Sequence, residues 1–383
     1  MTFINLGQVD KNIFTIIIGC VACFLNRLLN QYKGTILFQN KILTSIYIVI
    51  PRILTVFPLI FIKIRSRSRK KTINKNIINS LIKKNELIDR GKWAYIMLSA
   101  IIFSIQNIFL VFTFEIKTNA WICYILLASI IYYLIFRNKL YKHHYITIIF
   151  ILILGITIDL ITENIQNEIT NYFFLFKYLK EIFFSLYNVM AKYIMDKKYV
   201  SVYEFSFYIG AINLILSGIF MVLDYFFLKF DNLEKYFNNF DIKELLVMLG
   251  VIISQFVLNI AYLFTIKIYS PCHVFIIFVF GQLAYYTTFI EDYLVSTLVI
   301  ICLIFILFLS LIFCEIVELN FLGLSYNTKK NIAIRAKMEE DFYNNKNEII
   351  DEDIEERIEN DEYLITLKEE KSSKYSETNS SFT

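Results

Sequence analysis

The apolar residues of this chain arrive in blocks of about 20, the length a helix needs to cross the hydrocarbon core of a bilayer. Ten such blocks run at about 12–30, 41–63, 92–115, 119–136, 144–162, 171–194, 201–228, 243–267, 271–290 and 293–316. Each is continuously apolar and does not alternate with period two, so helices are expected and not the strands of a barrel. Hydrophobic residues make up 57% of the 383-residue chain and charged residues only 19%. A soluble fold cannot hide that much apolar surface, because a single core stops growing near about 250–300 residues. The expectation is an all-α polytopic membrane protein with ten transmembrane helices. A soluble enzyme is excluded.

Charge between the blocks predicts orientation. The stretch from Lys63 to Lys92 holds 11 basic residues. Alternation puts Arg137, Lys139 and Lys142 on the same side, then Lys192, Lys197 and Lys198, then Lys267. That side carries 18 Lys and Arg and the other carries seven. The basic side faces the cytoplasm by this rule, so both termini are expected there and the span count is even. Whether the membrane is an endomembrane or the plasma membrane is not written in this pattern. Within the basic loop 64–91, Ile77, Ile78, Leu81, Ile82, Leu87 and Ile88 recur at near-helical spacing among lysines. A short basic helix lying on the anionic inner leaflet is expected there.

From Met338 to Thr383 there are 15 acidic and five basic residues, net −10, against +14 for the rest of the chain. Segment 317–383 is therefore expected to be an acidic, largely disordered cytoplasmic tail. The six cysteines all fall in apolar stretches. Cys20 and Cys23 form a CxxC, but it lies inside a predicted span with no second pair, so buried free thiols are expected and not a zinc site or a disulfide. No basic n-region or small-residue cleavage site precedes the first block, which is expected to be retained as a span.

The two halves resemble each other. Asn107-Ile108, Phe112-Thr113 and Ile116 recur as Asn259-Ile260, Phe264-Thr265 and Ile268, each following a glutamine, Gln106 or Gln255. A fainter echo pairs Phe24-Leu25-Asn26 with Leu186-Tyr187-Asn188. Five spans per copy is an odd number, so the second copy enters from the opposite face. That arrangement is an inverted repeat, a recurring architecture of secondary transporters. Residues 1–170 are expected to form the first five-helix repeat, with the basic loop, and 171–316 the second. Chance similarity in a chain rich in Ile, Phe and Asn is the rival reading.

Three stretches carry a family likeness. Ala128 through Tyr145 reads ASIIYYLIFRNKLYKHHY, a span ending in a basic turn. Lys180 through Gly210 reads KEIFFSLYNVMAKYIMDKKYVSVYEFSFYIG, and the third stretch is the hairpin from Asn259 through Gln282. In these, and in its span count, the chain resembles the drug/metabolite transporter superfamily, in particular its EamA-like and nucleotide-sugar-transporter-like solute carriers. The likeness covers about 10–316 at a coarse level. It implies a ten-helix carrier for a small polar solute, such as a nucleotide sugar, with a central site reached alternately from either side.

A polar side chain inside hydrocarbon costs free energy unless it is paired, wet or snorkelling, so each one is a candidate site residue. In the sixth block Lys177, Glu181, Ser185, Asn188 and Lys192 follow one another on a single helical face. They line a central cavity with Lys177 paired to Glu181, or the two lysines snorkel to opposite surfaces. Gln106, Asn107, Gln255 and Asn259 sit at repeat-related depth and serve either as substrate contacts or as interhelical hydrogen-bonding glue. Arg52, between Pro51 and Pro58, is suited to an anionic or phosphorylated solute, or reaches the headgroups. Gln282 in the ninth block is a further substrate-binding candidate. His143 and His144, beside Lys142 at a turn, are expected to contact headgroups and not a metal, since no further ligand lies near them in sequence.

No phosphate-binding loop, H-E-x-x-H or G-x-S-x-G motif occurs, so neither ATP-driven transport nor a hydrolase of those types is encoded. No catalytic residue, cofactor, metal or nucleic-acid partner is expected. The expected partners are the lipid bilayer and a small-molecule substrate, and a homodimer is compatible with such a bundle. Two rivals stay open: an intramembrane lipid-modifying transferase, and a non-transporting scaffold or receptor that works through its acidic tail.

Overall fold

The computed structural model describes residues 4–6, 13–32, 49–70, 91–112, 119–137, 140–163, 173–223, 242–288, 293–319, 334–335 and 337–338. The expected basic helix at 77–88 and the tail beyond Met338 lie outside these residues. Met1–Leu319 form one compact unit and Asn320–Thr383 another. In the second unit only short helical pieces at 334–335 and 337–338 are described.

Ten helices of 14 residues or more lie in the described part of the first unit. They are α1 (Ile13–Tyr32), α2 (Val56–Lys70), α3 (Lys92–Phe112), α4 (Cys123–Phe136), α5 (Lys142–Glu163), α6 (Phe173–Lys197), α7 (Val202–Leu223), α8 (Ile242–Ile268), α9 (Val274–Thr288) and α10 (Tyr293–Phe313). Each falls within or across one expected apolar block. Five of them contain a stretch long and apolar enough to cross a membrane, those in α3, α5, α7, α8 and α10. Helix α6 falls short because Lys177, Lys180, Glu181 and Lys192 interrupt its apolar run.

The outer faces identify the solvent. On α1, Phe14, Ile17, Val21 and Leu25 are exposed while Ile16, Ala22, Cys23 and Asn26 are buried. Likewise on α5, Ile149, Phe150, Ile153, Ile156 and Leu160 point outward. Apolar stripes as long as whole helices, outside, with amides and charges inside, invert the soluble pattern and match a hydrocarbon surround. The chain is a helical membrane protein.

Local sequence explains the helix entries. Pro58 has no N–H to give the Leu54 carbonyl, which instead accepts from Phe57 N at 3.2 Å, so the helix of residues 49–53 breaks at 54–55 before α2 begins. A single 3-10 turn, Ala120–Ile122, leads into α4. Its start is capped from another helix, because Asp159 Oδ1 of α5 accepts from Asn119 N at 2.9 Å and Asn119 Nδ2 at 3.0 Å. A second 3-10 turn, Pro271–His273, opens α9, with proline in its first turn where a missing N–H costs nothing.

Helix α1 packs on α8 and α9, and α6 packs on α3 and α4. Exchanging each helix with the one five places away maps the first set of contacts onto the second, and maps the α5–α10 and α2–α7 contacts onto themselves. The packings of α3 on α7, of α7 on α8 and of α6 on α8 have no counterpart of comparable extent among the described residues. Side chains show which helix ends meet. Lys92 pairs with Glu204 at 2.9 Å, joining the first turns of α3 and α7. Tyr193 near the end of α6 contacts Tyr95 of α3 and Phe136 of α4, with ring centroids 5.4 and 6.2 Å apart. Helices α3 and α7 thus start at the end of the bundle where α4 and α6 finish.

Two apolar clusters fill the interior, one built on α1, α4, α5, α9 and α10, the other on α3, α6 and α7 with the end of α8. They meet at Phe184, Tyr262 and Phe278, which pack against both. The structure also holds one feature that the all-helical expectation lacks. Strand β1 (Ile4–Leu6) pairs antiparallel with β2 (Val317–Leu319), Ile4 opposite Leu319. Three residues per strand carry no readable period, which is why the sequence does not announce it.

Candidate functional site

Arg52 lies in the short helix before α2 and is 6% exposed. Gly210 of α7 lets that segment approach: a Cβ at position 210 would lie 2.8 Å from Arg52 Cβ and 3.0 Å from the Ile53 backbone N. The guanidinium lies 4.0 Å above the Phe103 ring of α3 and 5.3 Å from the Tyr187 ring of α6. Its Nη1 donates to Tyr187 Oη at 2.6 Å, and its buried Nε has no hydrogen-bond partner among the described residues. No described carboxylate pairs with it.

This is an unusual electrostatic position. Cation–π contacts contribute about 0.5–2 kcal/mol each, and one hydrogen bond to a charged group about 1.5–3 kcal/mol. A buried ion loses several kcal/mol of solvation, and among the described residues Tyr187 is the hydrogen-bond partner shown for a guanidinium that carries five N–H donors. The chemistry that completes such a site is an anion, held by the remaining donors in a planar fork. One turn along α3 from Phe103, Gln106 Oε1 and Asn107 Oδ1 are buried without a hydrogen-bond partner among the described residues, as is Ser185 Oγ on α6. Buried polar atoms are rarely left so unless a water or a ligand meets them.

The remaining sequence candidates divide differently. Asn188 is 3% exposed, and its Nδ2 donates to Tyr124 Oη at 3.0 Å. Tyr124 Oη donates in turn to the Pro271 carbonyl at 2.8 Å. Around them Tyr124, Phe184, Tyr262 and Phe278 stack and edge against one another at 5.2–5.4 Å. Asn188 therefore ties α6 to α4 inside an aromatic cluster at the junction of the two apolar cores. Asn26 of α1 donates to Gln255 of α8, and Gln255 Nε2 donates to Asn259 Oδ1 at 3.3 Å. That ladder joins α1 to α8 as interhelical glue, although Asn259 Nδ2 itself is buried without a described partner.

Glu181 is 2% exposed. The sequence offers Lys177 as its partner; in the structure Lys180 pairs with it at 2.7 Å, and Lys177 is near enough to interact with it electrostatically. Lys177 is half-buried in the first turns of α6. Lys192 does not snorkel: its Nζ donates to the Lys267 carbonyl at 2.6 Å and meets Asp196 Oδ2 at 3.1 Å, so it closes the end of α8. Gln282 is half-buried on α9, beside Gly281 where that helix passes close to Cys23. The headgroup expectation for His143 and His144 is corrected, since both are buried and face Glu315 at 3.5 and 3.8 Å. The six cysteines are free thiols.

Sequence reasoning missed Phe103, Tyr124 and Tyr187, the aromatic partners of Arg52 and Asn188. In a chain with 26 Tyr and 37 Phe no single ring stands out. The available signal was Tyr187 directly before Asn188, one position off the polar stripe. No protein-family model matches the chain, and no curated protein matches it. Fold and composition define its class, a helical membrane protein with buried polar groups between its helices.

Proposed function

We propose that this protein is a secondary transporter that moves a small anionic organic solute, such as a nucleotide sugar or a sugar phosphate, across a membrane by alternating access. In this reading all ten helices span, as two inverted five-helix repeats, with both termini cytoplasmic. The observation that carries it is the exchange-related packing, in which α1 lies on α8 and α9 as α6 lies on α3 and α4. Two such units rock against each other with little change inside either, which is the motion alternating access needs. The antiparallel pairing of β1 with β2 agrees with an even number of crossings, because it brings together the segments flanking α1 and α10. The likeness of residues 128–145, 180–210 and 259–282 to drug/metabolite transporters points the same way.

Arg52 is the anion contact, Tyr187 and Phe103 orient its fork, and Gln106, Asn107 and Ser185 supply further polar groups. The reading assigns the chain no reaction and no cofactor. The test is a thermal-shift screen of the purified protein against nucleotide sugars, sugar phosphates, neutral sugars and amino acids, followed by uptake of any stabilising solute into proteoliposomes. A ligand at 100 times its Kd stabilises by about 2.7 kcal/mol. The anionic classes are expected to give that shift in the wild type, and Arg52→Gln is expected to remove it along with uptake. Uptake of an anionic solute by Arg52→Gln at the wild-type rate refutes the site. A protein that takes up none of the stabilising solutes refutes the carrier.

A further inference from the structure

We propose that His143, His144 and Glu315 form a divalent transition-metal site of the zinc class, which staples the start of α5 to the chain just past α10. The three side chains come from segments far apart in sequence. His143 and His144 lie in the first turn of α5, and Glu315 follows α10. The packing of α5 on α10 brings them together. One ligand atom from each lies within 4.8 Å of the other two.

The spacing suits a shared metal ion better than a direct hydrogen bond. His143 Nε2 is 3.5 Å and His144 Nε2 3.8 Å from the same carboxylate oxygen, Glu315 Oε1. Both separations exceed the 2.7–3.2 Å of a hydrogen bond. Around a tetrahedral zinc with bonds of about 2.0–2.1 Å, neighbouring ligand atoms are about 3.3–3.4 Å apart. The two nitrogen–oxygen separations exceed that spacing by at most about half an ångström, and all three ligand atoms lie within 4.8 Å of one another, so the trio closes on one ion by movement of the two imidazole rings.

His143 gives a second, independent sign. It is 3% exposed, and neither of its ring nitrogens has a hydrogen-bond partner among the described residues. A buried imidazole without a hydrogen-bond partner is rare and is explained by a water or an ion that meets it. The two rings lie 3.9 Å apart, centroid to centroid, so two protonated imidazoles would repel strongly, whereas neutral imidazoles are the form that binds metal. Two imidazoles and one carboxylate suit zinc and its neighbours, whereas calcium and magnesium take oxygen ligands. The Glu315 side chain is 14% exposed, which leaves a path for the ion from water.

His144 adjusts on binding. Its Nδ1 accepts from the Tyr141 backbone N at 3.2 Å, which holds the ring proton on Nε2, facing Glu315. A metal at Nε2 moves that proton to Nδ1, so the Tyr141 contact is exchanged for a metal bond. Glu315 itself sits in the left-handed region, at φ 58°, immediately before the residues that lead into β2. A metal there holds the turn and, through it, the β1–β2 pairing. The inference does not depend on whether the protein transports.

The test uses the full chain in detergent, stripped with EDTA and titrated with Zn²⁺ and with Co²⁺. Expected are one metal per chain, a visible cobalt spectrum of tetrahedral type, and a raised apparent Tm with Zn²⁺. Glu315→Gln and His143→Gln, which keep side-chain shape, are each expected to weaken binding at least about 10-fold. Their Tm in EDTA should stay near the wild-type value, so that loss of binding is separated from loss of fold. Absence of stoichiometric metal overturns the proposal. Equal binding by both variants overturns it too, since the ion then sits elsewhere, for instance on the thiols. A Tm that follows pH but ignores metal assigns the trio to a proton-linked ion pair instead.

Discussion

Lys192 separates two accounts of a charged residue in an apolar helix, and the structure supplies the numbers. It is 6% exposed, its Nζ donates to the Lys267 carbonyl at 2.6 Å, and Asp196 Oδ2 lies 3.1 Å away. The last four carbonyls of a helix have no partner within it, and Lys267 is in the last turn of α8. A charged donor there is worth about 1.5–3 kcal/mol. The Asp196 side chain is 34% exposed, so solvent screens that pair and it adds at most about 0.5 kcal/mol. Lys192→Met keeps the packing of the stem and removes the head, for an expected loss of about 2 kcal/mol. At about 1–1.5 °C per kcal/mol for a chain of this size, the apparent Tm falls by about 2–3 °C. The free cysteines, all buried or half-buried, allow unfolding to be followed with a thiol-reactive dye. Lys192→Arg retains the charged donor and should recover most of the loss. A snorkelling lysine predicts a change within about 0.5 kcal/mol, as for surface substitutions generally. A Lys192→Met protein that melts within about 1 °C of wild type refutes the cap.

Two further stability predictions use the same melt. Gly210→Ala puts a methyl against the backbone of Arg52 and Ile53, which cannot yield as a side-chain tip does, and is expected to lose about 1–3 kcal/mol. Gly218→Ala on the same helix meets nothing within 4 Å and is expected to gain up to about 1 kcal/mol in helix propensity. Equal effects of the two would refute the close approach. Asp159→Asn keeps the shape of the clip on Asn119 but removes the charge from the start of α4, for an expected loss of about 0.5–2 kcal/mol. An unchanged Tm would show that the clip contributes nothing.

The helices were legible because burial in a bilayer is a bulk property of 20-residue windows. The first block, 12–30, answers to Ile13–Tyr32, and the tenth, 293–316, to Tyr293–Phe313. The proposed even span count rests on lysine placement; the structure pairs β1 with β2, which flank α1 and α10. What stayed hidden depends on pairs distant in sequence. That Arg52 is buried follows from Gly210 on another helix. That Lys192 is a cap follows from where α8 ends. The histidine pair lacked a visible third ligand because Glu315 lies beyond five further helices. In each case the side chain's own neighbourhood allowed two environments, and a contact far along the chain selected one.

The amides show why residue type and depth are not enough to assign a site. Gln255 and Asn259 on α8 and Gln106 and Asn107 on α3 are alike in chemistry and, in the proposed repeat, would correspond in position. On α8 the pair is joined to Asn26 of α1, so the ladder is largely spent on holding helices together. On α3 both amide oxygens are buried with no described partner, one turn from the ring beneath Arg52. An interhelical amide bond in a membrane averages only about 0.6 kcal/mol, whereas an unsatisfied buried acceptor costs about 1–3 kcal/mol. The two unmet acceptors on α3 therefore cost more than the α8 ladder returns, and α8 carries one unmet donor, Asn259 Nδ2. A water or another polar group that meets these oxygens would remove that cost. That asymmetry favours Gln106 and Asn107 over Gln255 and Asn259 as substrate contacts of the proposed carrier, beside Arg52, which pairs with no described carboxylate.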